Sequence, residues 1–395
     1  MLAIDVRERG RRLARRHRLA AETRASDPVE AADAVVALHG TDAASVFLSA
    51  WARMHDGDVA GVERALYEDR SLLRLLAMRR TMFVAPVDTA AVMFAACSRD
   101  VAARERRKLL GMITRAGFAA GDAEGWLAAA EATALAALVH HGEATAAQLA
   151  ADDPRLNAVL VLGAGTKFEN RQKVISRVLT VLGAEGRAIR TRPNGSWTST
   201  QFRWAALDRW QPNAASEQLP AVARAELARR WLGVFGPATL EDLRWWAGWT
   251  LGATRAAVAA NQTVEVSLEG VRGIVLRGDE EPTQPVEPWA ALLPALDPTT
   301  MGWKERAWYL GEHGPQLFDR NGNASPTIWW DGRVVGGWAR SEDGEIRTHL
   351  LEDVGAGAVA AIERRAADLS TRVGDAKLSP RARARSAVEL RLTNS

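Results

Sequence analysis

Within four consecutive positions the chain carries an imidazole, a hydroxyl and a carboxylate: His39, Thr41 and Asp42, with Gly40 between the first two. These side-chain types can accept a proton, orient a water and stabilise a nearby positive charge. The same residues also read as a helix-to-helix turn, in which His39 ends one helix, Gly40 takes a left-handed cap and Thr41 or Asp42 caps the next. A carboxylate engaged as an N-cap is not available for chemistry, so the two readings compete. A helix C-terminus would also favour the protonated imidazole, which counts against His39 as a base. Elsewhere no His/Asp/Glu spacing imitates a zinc site, and His140 and His141 point to opposite sides. No Gly-rich phosphate loop, nucleophile elbow or Schiff-base lysine setting appears. Any reaction is expected to need no cofactor and no metal.

The other concentration of chemistry is basic. Lys167, Arg171, Lys173 and Arg177 fall on or at the start of a predicted helix running from about Phe168 to Gly183, opposed only by Glu169. The predicted hairpin that follows carries Arg187, Arg190, Arg192 and Arg203, with no acidic residue between 187 and 205. A helix plus a hairpin of one sign suits phosphate contact; a charged, solvated face is the alternative. Trp197, at the hairpin's return, is placed to stack on a base or wedge a duplex, or else to pack on its own unit. The N-terminal arginines 7, 11, 15 and 18 share a face if helical, again for phosphates or for solvent. Trp245, Trp246, Trp249, Trp329, Trp330 and Trp338 have spacings that suit core packing better than an aromatic cage.

Composition bounds these readings. Against 48 acidic residues stand 51 basic ones, a formal net charge of +3, so a nucleic-acid surface must be local. Only five of the basic residues are lysines, which leaves the positive charge to guanidinium groups. The single cysteine, Cys97, excludes a disulfide framework and a thiolate metal cluster. No apolar run of about 18 residues occurs, so no membrane span is expected, and the expected location is cytoplasmic.

The elements that must position these residues recur. Short helices followed by two alternating apolar stretches appear three times. The first set has helices near 28–39, 43–55, 59–67 and 71–77 and a strand at 81–85. The second has helices after Gly125, at 145–151 and at 168–183, then strands 187–192 and 197–204. The third has helices at 221–232, 239–247 and 251–260, then strands 264–268 and 273–277. Three helices and a hairpin make a winged helix. Beyond Pro288 the pattern turns to strands at 326–330, 332–338 and 346–350, with Asp331 and Gly332 as a tight hairpin turn, and ends in an amphipathic helix near 355–371.

Several stretches together resemble one family. Leu38 to Met54 (LHGTDAASVFLSAWARM), Met78 to Pro86 (MRRTMFVAP) and Arg187 to Ala205 (RAIRTRPNGSWTSTQFRWA) carry the likeness. So do Leu292 to Arg306 (LLPALDPTTMGWKER) and Pro326 to Trp338 (PTIWWDGRVVGGW). In this order they resemble the AlkZ-type winged-helix DNA glycosylases. The resemblance implies an α+β fold of three tandem winged-helix domains followed by a small C-terminal β-barrel. Its expected boundaries are 1–125, 126–212, 213–284, 285–352 and, for a closing helix and tail, 353–395.

The family has Gln-x-Gln or Gln-x-Asp where this chain has His39-Gly40-Thr41, and usually Gly and His where it has Arg80 and Phe83. By resemblance the cluster would hydrolyse the N-glycosidic bond of alkylated or bulky-adduct purines in double-stranded DNA, in a monomer. His39 would take the water's proton, Thr41 orient the water and Asp42 stabilise the sugar cation. Lys167, Arg171, Lys173, Arg177, Arg190, Arg192, Trp197, Arg203 and Arg79 would contact DNA. The competing readings are a catalytically silent DNA-binding protein on the same scaffold and a transcription regulator. The repair reading requires the His39–Asp42 corner to open onto the same basic trough as the second hairpin.

Overall fold

The computed structural model describes residues 2–119, 121–163, 165–167, 169–214, 218–378 and 384–393. The fold is α+β, and its organising feature is a six-stranded sheet. In spatial order the strands are Leu38–His39, Thr81–Pro86, Leu72–Ala77, Ala188–Pro193, Phe202–Ala206 and Ala144–Thr145. The hairpin of the first helical group (Leu72–Ala77 with Thr81–Pro86) and that of the second (Ala188–Pro193 with Phe202–Ala206) are therefore one sheet. They join antiparallel, with Arg74 opposite Arg190.

Of the predicted helices, two are shortened and one is replaced by a strand. The helix beginning at Pro28, whose Asp27 cap accepts from the amides of Val29 and Glu30, stops at Asp33. Val36 then turns the chain through the left-handed region, and Leu38–His39 pairs as a strand with Val84 and Phe83. The stretch Leu72–Ala77 is a strand rather than a helix. Leu72, Leu73 and Leu75 are all buried, and a short apolar run covered on both faces has no periodicity to separate the two forms. In the second group the predicted helix starts only at Val174; residues Asn170–Lys173 instead pair with Val159–Leu162 in a small hairpin. Phe168, the predicted start, lies outside the described residues. Between Pro86 and Gly125, where no element was expected, the helices Val87–Met93 and Arg99–Ala116 appear.

The third group matches its pattern closely: helices Pro220–Phe235, Leu240–Ala247 and Leu251–Ala259, then the hairpin Thr263–Leu268 with Val271–Leu276. Leu2–Ala3 adds a parallel strand to that hairpin. The expected barrel is not there. Among the described residues the C-terminal strands Ala290–Leu293, Thr327–Trp330, Arg333–Arg340 and Ile346–Leu350 form an open four-stranded meander whose outer strands do not pair. Instead of closing on itself, the sheet packs the helix Ala356–Val373 through Ile362, Leu369 and Val373.

The hydrophobic cores cut across the expected boundaries. One continuous core runs from the N-terminal helix through the first and third groups to the C-terminal sheet. A second serves the second group and recruits Leu109 and Ile113 from before Gly125. The N-terminal arginines are partly absorbed by this packing. Arg12 is 1% exposed and bonded to Glu8 and to the carbonyls of Asp279 and Glu281, while Arg16 bonds Gly236 and Asp279. Trp246, Trp249, Trp329 and Trp338 are core residues.

Arg53 and Asp297 form an ion pair with no solvent exposure on either side, at 2.7 Å, tying the first group to the C-terminal part. Ser49 donates to Asp297 at 2.6 Å, and Arg53 also bonds Thr299. Removing one member strands the other charge in the core. Asp297→Ala should therefore lose about 3–5 kcal/mol of stability, and Asp297→Leu combined with Arg53→Met should lose less than either single change. Urea unfolding of Asp297→Ala, of the two single changes and of the double variant checks the ordering.

Candidate functional site

His39 ends a strand, not a helix, so the helix C-terminus expected to favour its protonation is absent. The imidazole is 8% exposed and sits edge-on to Phe83, with ring centroids 5.7 Å apart. Burial pushes its pKa down to about 3; Arg79 pushes the same way and Asp297 opposes. It is neutral at ordinary pH and a feeble base. The amide of Thr41 donates to Nδ1 over a long 3.5 Å, which leaves the ring proton on Nε2.

Gly40 is not left-handed, so the expected cap is absent. Space there is tight: a Cβ would lie 3.3 Å from Arg74 Nη1 and from the Phe83 carbonyl carbon. Thr41 is exposed and Asp42 half-buried. Asp42 stands at the N-cap position of Ala43–Trp51 without making a capping hydrogen bond to that helix.

The three side chains do not converge. Thr41 lines a cavity of about 210 Å³ over the seam between the two hairpins, with Arg74, Arg80, Arg190, Thr180 and Trp204 among its walls. A second cavity of about 670 Å³ continues it along the second hairpin; both are lined by Arg80, Leu179, Thr180, Arg190 and Trp204, and the second adds Arg177 and Phe202. Neither is lined by an Asp or Glu. Asp42 faces a different, smaller cavity beside Trp338, Arg340 and Arg385. Of the expected corner, only Thr41 reaches the basic trough.

The expected DNA contacts divide in the same way. Arg190 and Arg177 line the trough, and burial lowers the pKa of both. Lys167, Arg171 and Lys173 are exposed, on and beside the small hairpin rather than on a helix. Arg192 is drawn back to the first group, pairing with Glu63 at 2.9 Å and lying over Tyr67. Arg203 bonds the carbonyl of Glu143. Arg79 leaves the hairpin turn toward the third group and lies 4.0 Å from the Trp245 ring centroid. Trp197 is 8% exposed and packs against Phe47 and Trp51, at 5.1 and 5.4 Å, so it is a core residue and not a wedge.

Arg74, Arg80, Phe202 and Trp204 were not singled out as site residues. The available signal was Arg74, the one charge inside the apolar run LLRLLA.

A family model described as DNA glycosylase AlkZ-like matches residues 32–372. The chain belongs to the AlkZ-like DNA glycosylase family. Among solved structures, that of Streptomyces sahachiroi DNA glycosylase AlkZ is similar, with a TM-score of 0.71 and 20% identity, covering 96% of this chain and 100% of that one. At that identity the likeness speaks for the fold. No curated protein matches the sequence. Membership in the AlkZ-like family makes this a DNA glycosylase scaffold, on which the trough is a basic concave surface that Thr41 lines.

His17 shares the state of His39: fully buried, with its pKa lowered to about 3 by burial first and by Arg53 next. Both are neutral when folded, whereas an unfolded histidine takes up a proton below about pH 6.5. The unfolded state thus binds more protons over that range, and stability is lost as pH falls from about 6.5 toward 3. His39→Gln should flatten the decline between about pH 6 and pH 4 by up to roughly 1.4 kcal/mol per pH unit, read by urea unfolding at each pH. An unchanged slope would mean that His39 protonates freely.

Proposed function

We propose that the chain is a cofactor-free, monofunctional DNA glycosylase that acts as a monomer on double-stranded DNA and releases alkylated or bulky-adduct purines. The observation that carries this reading is the acid-free, arginine-lined trough that begins at Thr41 and runs along the second hairpin. On this reading the three helix-plus-hairpin groups act as tandem winged helices, the second gripping phosphates through Arg177, Arg190 and the exposed Lys167, Arg171 and Lys173.

The chemistry demanded is modest. In a cationic alkylpurine the base leaves with the electron pair of the C1′–N bond, which cancels its own charge and needs no acid. Water then bonds to C1′, and its surplus proton passes to solvent. A neutral His39 does not repel a cationic base. Thr41, the hydroxyl of the triplet that faces the trough, orients the water. Asp42 faces another cavity and is dropped from the catalytic set.

A specific observation also favours the silent-binder reading: no carboxylate lines the trough, and the imidazole is buried. Incubation with alkylated duplex followed by alkaline cleavage at abasic sites separates the two. Base release by the wild type, slowed on the order of 10²-fold in Thr41→Val at unchanged duplex affinity, is the expected result. Equal rates would remove Thr41 from catalysis, and binding without release would select the silent binder.

A further inference from the structure

Arg74 and Arg190 are direct partners across the strand pairing that joins the two hairpins. Their guanidinium carbons lie 4.6 and 5.6 Å from the centroid of one ring, Phe202, and Arg190 is 5.1 Å from that of Trp204. Like charges directly opposite on a sheet repel. Arg74 is 2% exposed, yet it donates only from Nη1, to the carbonyl of Gly40 at 3.0 Å; its Nε and Nη2 are buried and unpartnered among the described residues. No acid acts on Arg190, whose pKa burial and Arg74 together hold at about 10.

Nε and Nη2 form one edge of the guanidinium fork, the edge that takes two oxygens of one anion. The molecule uses that edge elsewhere: Arg229 grips both Glu226 oxygens with it at 2.8 Å, and Arg244 grips both Glu241 oxygens at 2.6 and 2.8 Å. In Arg74 the same edge is buried and unpartnered, and Arg74 is one of the residues around the cavity shared with Arg190, Arg80, Thr41 and Thr180.

We infer that the seam is a built oxyanion site that takes a single phosphate group. Arg74 is the fixed fork, braced by the Gly40 carbonyl. Arg190 supplies the second charge from the partner strand, and the threonine hydroxyls are within the same cavity to complete the shell. The phosphate neutralises a cation pair that the protein itself leaves uncompensated. That the phosphate is a DNA phosphodiester rests on the function proposed above; the site itself does not, since inorganic phosphate presents the same oxygens.

Arg190→Gln removes one charge from a half-buried position while leaving Arg74 in place. Thermal unfolding in phosphate and in chloride at matched ionic strength is the first arm. The wild type should melt higher in phosphate, whereas Arg190→Gln should melt higher than the wild type in chloride and lose the response to phosphate. The second arm is duplex binding against salt: the slope of log K on log salt should fall by about 0.9 in the variant. One neutral methylphosphonate linkage should then weaken the wild type and not the variant. A lost phosphate response with an unchanged slope supports the site with free phosphate as its ligand. Identical phosphate responses and identical salt slopes in the two proteins overturn the site. Neither arm reads base release, so the site stands or falls separately from the glycosylase reading.

Discussion

The trough depends on one strand contact. Each helical group ends in a hairpin with an open edge, and the edge of Leu72–Ala77 is satisfied by Ala188–Pro193 through the Arg74–Arg190 bridge. Interactions between the two groups fix that contact from both sides. Arg192 reaches back to Glu63 and over Tyr67, while Arg70 bonds the Trp210 carbonyl, lies over the Trp210 ring, and accepts through its own carbonyl from Gln211. Because the hairpins form one sheet, the basic strands of the second group lie beside the corner of the first. Without the seam they would be separate surfaces, and the two cavities would not share Arg80, Arg190 and Trp204.

The sequence made part of this legible. Hairpins with clear turn chemistry were readable, among them Thr327–Trp330 with Arg333–Arg340 around Asp331-Gly332, and so was the third group with its capped helices. The family likeness extended over the same segments. What misled were apolar runs covered on both faces. Leu72–Ala77 and Val35–Leu38 have the composition of a helix face but are held as strand or turn by pairing with Thr81–Pro86, a tertiary fact with no local signature. The barrel failed for a related reason: alternating strands predict a sheet, and closure depends on whether a helix covers the edge first.

At the site, residue type was legible and environment was not. Arg190 lines the trough, while Arg192, two positions on and of the same type, faces the opposite group and is neutralised there. Trp197 has the chemistry of a wedge but lies among Phe47 and Trp51. Arg74 lies in a stretch that reads as a helix and is a strand. Its importance comes from the register that sets it opposite another arginine, which no spacing within its own segment encodes.

The state of the His39 corner is set from the core outward. Asp297 is the one group that draws the imidazole toward protonation, and Arg53 is its bidentate partner at 2.7 and 2.9 Å. Asp297 is the smallest of the three influences, so burial and Arg79 prevail and the imidazole stays neutral. The same pair contacts Thr299, whose hydroxyl bonds His17 at 2.8 Å, so the pair also lies beside the second buried histidine, whose neutrality again comes from burial first. The family's glutamines are neutral polar groups at neutral pH. On the proposed function His39 takes one of their places; held near pKa 3, it keeps that charge state, though not their two-ended hydrogen bonding. On the proposed function, charge at this corner is thereby conserved while the capacity to hold water shifts to Thr41.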